Sequence, residues 1–116
     1  IRLVATEDGV GVNLKEMVSD QRDITLNVNG KIELGNANAK TDFNIIGKET
    51  DIAANITVQA ERDITLANTT LENKGSVTAG RDMRVFGDTV RNTGDKALLQ
   101  ASDNLWIQKD AQGNKN

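Results

Sequence analysis

A chain of 116 residues with 37% hydrophobic content, three aromatic side chains and a net charge of −3 has the length of one domain but few large apolar residues for a thick core. It holds no cysteine and no histidine, which excludes a disulfide framework, a thiolate metal site and catalysis through either side chain. Both charge signs mix along the chain, no basic stretch interleaves with aromatics, and no run of about 18 apolar residues occurs, so neither a nucleic-acid surface nor a transmembrane helix is expected.

The opening Ile1-Arg2-Leu3-Val4 is apolar, and Val10, Val12 and Leu14 alternate with period two, the mark of a strand with one buried face. Lys15–Arg22 has no firm pattern, and Met17 and Val18 are read as opening the next unit. In residues 23–41, Ile24, Leu26 and Val28 share one face while Asp23, Thr25 and Asn27 share the other. Asn29-Gly30 then turns the chain, as a dipeptide that favours positive φ, and Ile32 and Leu34 form a second short strand before a corner at Gly35-Asn36. Residues 42–62 point Phe43 and Ile45 inward, pass Gly47 and a charged stretch Lys48-Glu49-Thr50-Asp51, and resume the core at Ile56 and Val58. Residues 63–81 and 82–103 are the clearest units, and the last strand carries Leu105 and Ile107 with Trp106 on the opposite face.

These units are copies of one another. Arg22-Asp23-Ile24-Thr25-Leu26 returns as Arg62-Asp63-Ile64-Thr65-Leu66 and as Arg81-Asp82-Met83-Arg84-Val85. Weaker copies are Thr41-Asp42-Phe43-Asn44-Ile45 and Asp103-Asn104-Leu105-Trp106-Ile107. With Asp23, Asp42, Asp63, Asp82 and Asn104 as equivalents the spacings are 19, 21, 19 and 22 residues, the period of a solenoid. Val58-Gln59-Ala60, Val77-Thr78-Ala79 and Leu99-Gln100-Ala101 precede three copies, and Leu71–Gly75 and Val90–Gly94 follow two. One coil reads strand, Asn/Gly corner, strand, Gly corner, with the extra length before Leu99 placed at Asp95-Lys96. Val, Ile and Thr recur at period two between Gly and Asn breaks, which argues against helices, and the leucine-rich-repeat frame is missing.

The expected fold is therefore all-β, a parallel β-helix of between five and six coils spanning residues 1–116, about 25 Å long at the strand spacing of about 4.8 Å. Three inward columns are expected: Ile24, Phe43, Ile64, Met83, Leu105; Leu26, Ile45, Leu66, Val85, Ile107; and Ala39, Ala60, Ala79, Ala101. The Asp column is the only patterned set of carboxylates, with no clustered acids read elsewhere. It is open to two readings, a metal or acid/base site or a structural corner column that caps backbone N–H groups, and the second is preferred because an Arg precedes three of the Asp residues. Trp106 is either an exposed contact or a cover for the end of the stack. No catalytic residue, cofactor or metal is assigned.

The phrases Arg62–Asn68, Leu71–Met83 and Asn104–Asp110 resemble filamentous-haemagglutinin repeats of two-partner-secreted exoproteins of Gram-negative bacteria, in particular the CdiA-type effectors of contact-dependent growth inhibition. The resemblance covers residues 20–116 well and the first 20 poorly. It implies a right-handed β-helix, a secreted cell-surface location, and an outer-membrane two-partner-secretion transporter engaged through an N-terminal domain outside this segment. It also implies a receptor-binding region, meeting a target-cell surface receptor, and a toxin beyond it. No enzymatic residues carry over. The chain opens at Ile1 without Met, shows no signal peptide and ends in a polar tail, and is read as a fragment of a much longer filament. The function expected is a structural stalk; the alternatives are an adhesin surface that binds a host glycan or receptor, and a polysaccharide-degrading β-helix. With no amphipathic capping helix in sight, the ends are expected to fray or to associate end to end.

Overall fold

The computed structural model describes residues 1–116 and contains sixteen β-strands and no helix. The chain runs through three strands per coil. The first coil holds β1 (Arg2–Ala5), β2 (Val12–Asn13) and β3 (Glu16–Ser19); the second β4 (Ile24–Val28), β5 (Lys31–Leu34) and β6 (Asn36–Ala39). The third holds β7 (Phe43–Ile46), β8 (Glu49–Ile52) and β9 (Thr57–Ala60), and the fourth β10 (Ile64–Ala67), β11 (Thr70–Asn73) and β12 (Ser76–Ala79). The fifth holds β13 (Met83–Phe86), β14 (Thr89–Asn92) and β15 (Leu98–Ala101), and β16 (Leu105–Gln108) opens a sixth.

Every strand pairs in parallel with the strand one coil away. The result is a β-solenoid with three faces. Sheet A is β1-β4-β7-β10-β13-β16, sheet B is β2-β5-β8-β11-β14 and sheet C is β3-β6-β9-β12-β15. The coil is three-sided because the Val-x-Ala stretches are strands in their own right.

The inward columns of sheet A form in the expected register, Ile24–Phe43–Ile64–Met83–Leu105 and Leu26–Ile45–Leu66–Val85–Ile107. Leu3 extends the second column beneath Leu26. In sheet C, Ser19, Ala39, Ala60, Ala79 and Ala101 stack where the coil is narrow. Period-two alternation places these side chains inside and their neighbours outside, and each aliphatic residue taken from water contributes about 1.5–3 kcal/mol. A core two side chains wide needs few aromatics; Phe43 alone is fully buried among them.

Several expectations are corrected. Met17 and Val18 do not open a coil; they lie in β3, which closes the first one by pairing with β6, so Met17 is buried beneath Ala37 while Val18 faces solvent. Gly30 is not needed for positive φ, which only Gly9, Gly94 and Gly113 adopt. It is needed for close approach, since a Cβ there would sit 2.4 Å from the Val10 carbonyl oxygen of the coil below. The charged stretch Lys48–Asp51, given no element from the sequence, lies largely in a strand. Residues Glu49–Ile52 are strand β8, with Thr50 and Ile52 inside and Glu49 and Asp51 outside. The extra length before Leu99 does lie at the corner between β14 and β15, where Gly94 has φ +104°.

Leu105 and Ile107 keep their inward register yet are 41% and 45% exposed, because no coil covers them. Leu66→Ala or Val85→Ala is expected to cost about 2–4 kcal/mol through lost burial and a cavity, and Thr65→Ala, on the outer face, under about 1 kcal/mol. A denaturant titration that gives equal losses at Leu66 and Thr65 would contradict this packing. The isolated chain is expected to associate end to end in a concentration-dependent way that Ile107→Asp relieves, with residues 42–100 slowest in amide exchange. Sedimentation at rising concentration and residue-resolved exchange measure both, and a monomer with uniform protection would refute the expectation.

Candidate functional site: the corner ladder, the charged face and the exposed tryptophan

The repeated Asp lies at the corner that leads into sheet A, one residue before each strand. There the chain leaves the sheet C ladder, and an exposed backbone N–H needs an acceptor. The Asp of the coil below supplies it. Asp42 N–H donates to Asp23 Oδ1 (2.9 Å), Asp63 N–H to Asp42 Oδ1 (3.0 Å), Asp82 N–H to Asp63 Oδ1 (3.2 Å) and Asn104 N–H to Asp82 Oδ1 (3.2 Å).

The residue before each Asp adds a second donor to the same carboxylate. The Thr41 hydroxyl donates to Asp23, Arg62 lies 3.8 Å from Asp42, and Arg81 grips Asp63 with two bonds at 3.1 and 3.2 Å. At the last step the second bond to Asp82 comes from the Asn104 side-chain amide, at 3.2 Å. This gives the phrase Arg-Asp-Ile-Thr-Leu a physical meaning: a donor, an acceptor for the next coil, and an alternating strand.

The charges follow the bonds. The Thr41 hydroxyl, and after it the Asp42 N–H, hold the Asp23 carboxyl below the usual aspartate range. The Arg81 guanidinium is the main cause of the same shift at Asp63, with the Asp82 N–H adding to it. Every carboxylate of the column is engaged along the stack, and none is turned toward a shared open space. No group of three or more acidic side chains is gathered as a metal site requires.

Acids are nonetheless aligned outside the column, contrary to the sequence expectation. Parallel register superposes Glu33, Asp51 and Glu72 on the outer face of sheet B. Lys31 is 3.1 Å from Asp51, 3.9 Å from Glu49 and 4.0 Å from Glu33, and Lys74 is 3.3 Å from Glu72. Glu33, Asp51, Glu72 and Lys74 border a groove of about 720 Å³ beside the long corner at Ala53–Ile56, floored by Leu14, Leu34 and Ile56 and without an aromatic side chain. The alignment was hidden because residues 18 to 21 apart become neighbours only once the coil register is known.

Trp106 lies on the outer face of sheet A, beside Arg84, whose guanidinium carbon is 4.9 Å from the ring centroid. Such an exposed cation–π contact contributes about 0.5–1 kcal/mol. Phe86 and Gln108 adjoin it in a shallow depression. Sequence reasoning missed two buried polar residues, Thr50 and Asn73. The 19-residue recurrence of Asn73 as Asn92 was a visible signal, but it pointed to a corner and gave no hint of burial.

Asp63→Asn keeps the shape and the carbonyl acceptor while removing the charge that Arg81 grips. Because the folded pKa of Asp63 is depressed, its stabilisation is complete above the unfolded value of about 4 and is lost as pH falls through the lower, folded one. The variant is expected to be less stable than the parent at pH 7, with the gap closing below about pH 4. Denaturation midpoints at pH 7 and pH 3 test this, and a gap independent of pH would contradict it.

With this geometry in view, two curated relatives align with the chain. It is 34% identical over 107 residues, 92% of its length, to the 16S rRNA endonuclease CdiA of Enterobacter cloacae. It is 33% identical over 79 residues, 63% of its length, to the tRNA nuclease CdiA of Escherichia coli. The chain spans only 3% and 2% of the length of these relatives. Neither a protein-family model nor a solved structure matches it. Similarity to CdiA along most of its length, carried on a stack of parallel coils of about 20 residues, fits a filamentous-haemagglutinin repeat region of a CdiA-type protein.

Proposed function

We propose that this chain is a stalk segment of a secreted, cell-surface exoprotein of a Gram-negative bacterium. In this reading it is one β-helical segment of a much longer filament that presents receptor-binding and toxin regions to target bacteria in contact-dependent growth inhibition. It performs no catalysis; the nuclease activities named for the two relatives belong to regions outside the 3% and 2% that it resembles. The filament reaches the surface through an outer-membrane two-partner-secretion transporter that recognises another domain, and absence of cysteine suits a chain passing unfolded through a pore.

The observation that carries this reading is where the repeated polar groups go. The corner carboxylates, the set of acids that the repeat itself carries, are spent on bonds between coils, which extends a rod and leaves none of that column free for a substrate. Each coil lengthens such a rod by about 4.8 Å.

The second reading, an adhesin surface, is favoured by one feature, the exposed Trp106 beside Arg84 and Phe86. A full-length exoprotein that carries this segment separates the two. Duplicating residues 42–81, two coils, is expected to leave growth inhibition of target cells intact, and so is Trp106→Ala. Loss of inhibition with Trp106→Ala, together with glycan-array binding by the isolated chain that the same substitution abolishes, would replace the stalk by the adhesin. Turnover of an acidic polysaccharide by the chain would replace both.

A further inference from the structure

A stack of near-identical coils faces a problem of order. Arg22–Leu26 and Arg62–Leu66 are the same five residues two coils apart, and repeat proteins characteristically misassemble by pairing the wrong copies. Sheets A and C do not prevent this. Their inward columns are apolar at almost every level, mostly aliphatic in A and chiefly alanine in the narrow column of C, so side-chain size, and no polar partner, distinguishes one level from another there.

Sheet B breaks the aliphatic pattern with polar residues. Its inward registers run Ile32–Thr50–Leu71–Val90 and Leu34–Ile52–Asn73–Asn92, with Asn92 exposed at the last level. Thr50 and Asn73 are the two polar residues buried completely in the molecule. The Thr50 hydroxyl donates to Asn68 Oδ1 of the next coil at 2.6 Å. Asn73 Nδ2 donates to Asn92 Oδ1 at 2.9 Å and to the Leu98 carbonyl at 3.1 Å, both in the next coil. Its Oδ1 accepts the Gly75 N–H at 3.0 Å.

Each pair therefore occurs once, at one interface: Thr50–Asn68 between the third and fourth coils, Asn73–Asn92 between the fourth and fifth. Stacking the third coil on a wrong partner leaves the buried Thr50 hydroxyl without Asn68, and stacking the fourth on a wrong partner leaves the Asn73 amide with only the Gly75 groups of its own coil, a loss that a uniformly aliphatic column would not impose. A single buried polar residue sets register in coiled coils by the same logic.

We propose that Thr50–Asn68 and Asn73–Asn92 are register-specifying pairs, which fix the order in which near-identical coils stack. The pairs position the coils and touch no ligand.

Introduced cysteines read the order, since the chain has none of its own. Glu72→Cys with Arg91→Cys places thiols on neighbouring strands in register, where a disulfide is within reach. Asp51→Cys with Arg91→Cys places them two coils apart, about 9.6 Å at the strand spacing, too far to link unless coils mispair or copies exchange. Each cysteine pair is refolded under oxidation in the parent background, with Thr50→Val, and with Thr50→Val plus Asn73→Leu.

The adjacent pair is expected to link in every background that folds. The distant pair is expected to link rarely in the parent and several-fold more often once the polar residues are replaced. An unchanged yield of the distant link, while the adjacent link still forms, overturns the proposal. If the double replacement fails to form the adjacent link, Thr50→Val alone, nearly isosteric, is read by the same criterion. Failure of Thr50→Val to fold also overturns it, because Thr50 would then serve stability and not order.

Discussion

Every strand of this molecule directs its N–H and C=O groups along the axis of the stack, so each coil is satisfied only by the coil before it and the coil after it. From that requirement the rest follows. Coils must have nearly equal length, their strands must pair in register, and side chains one coil apart must tolerate contact with each other. Length differences are confined to corners, the longest at Thr6–Gly11, Ala53–Ile56 and Thr93–Ala97, and the ladders continue on either side of them.

The same requirement explains the corner carboxylates. A corner interrupts the ladder, and the N–H that enters the next strand would face solvent alone. An Asp on the coil below supplies its acceptor, and the preceding Thr or Arg shares the carboxylate. One short phrase thus joins each coil to the next from outside, while the aliphatic columns join them from within. A negative charge stacked every coil would repel its neighbours, and Arg62 and Arg81 lie where they offset it.

The three outer faces are chemically distinct although the interior is nearly uniform. Sheet B carries acids and lysines, sheet A carries Ile46, Phe86 and Trp106 among Thr and Asn, and sheet C carries Asn38, Gln59, Thr78 and Gln100 with hardly a charge. Strand alternation leaves the outer positions free to vary without touching the core. A surface of this kind suits a scaffold whose length matters more than any single site on it.

Fold class, coil period, parallel pairing and the two inward columns of sheet A were legible in the sequence, because a parallel stack repeats its chemistry at the same interval as its geometry. Ile24, Phe43, Ile64, Met83 and Leu105 could be aligned on paper for that reason. Three kinds of fact were decided only by tertiary structure. The third strand of the first coil was invisible because Glu16–Ser19 shares little with its equivalents, and pairing with Asn36–Ala39 alone defines it. The burial of Thr50 and Asn73 contradicts their polarity, and only the partners brought to them by the neighbouring coil, Asn68 and Asn92, make it tolerable. Gly30 read as a residue of unusual φ, whereas the reason for it lies in the Val10 carbonyl of another coil, 20 residues away in sequence and too close for a Cβ. Local chemistry wrote the repeat into the chain; what each coil meets above and below is a property of the stack.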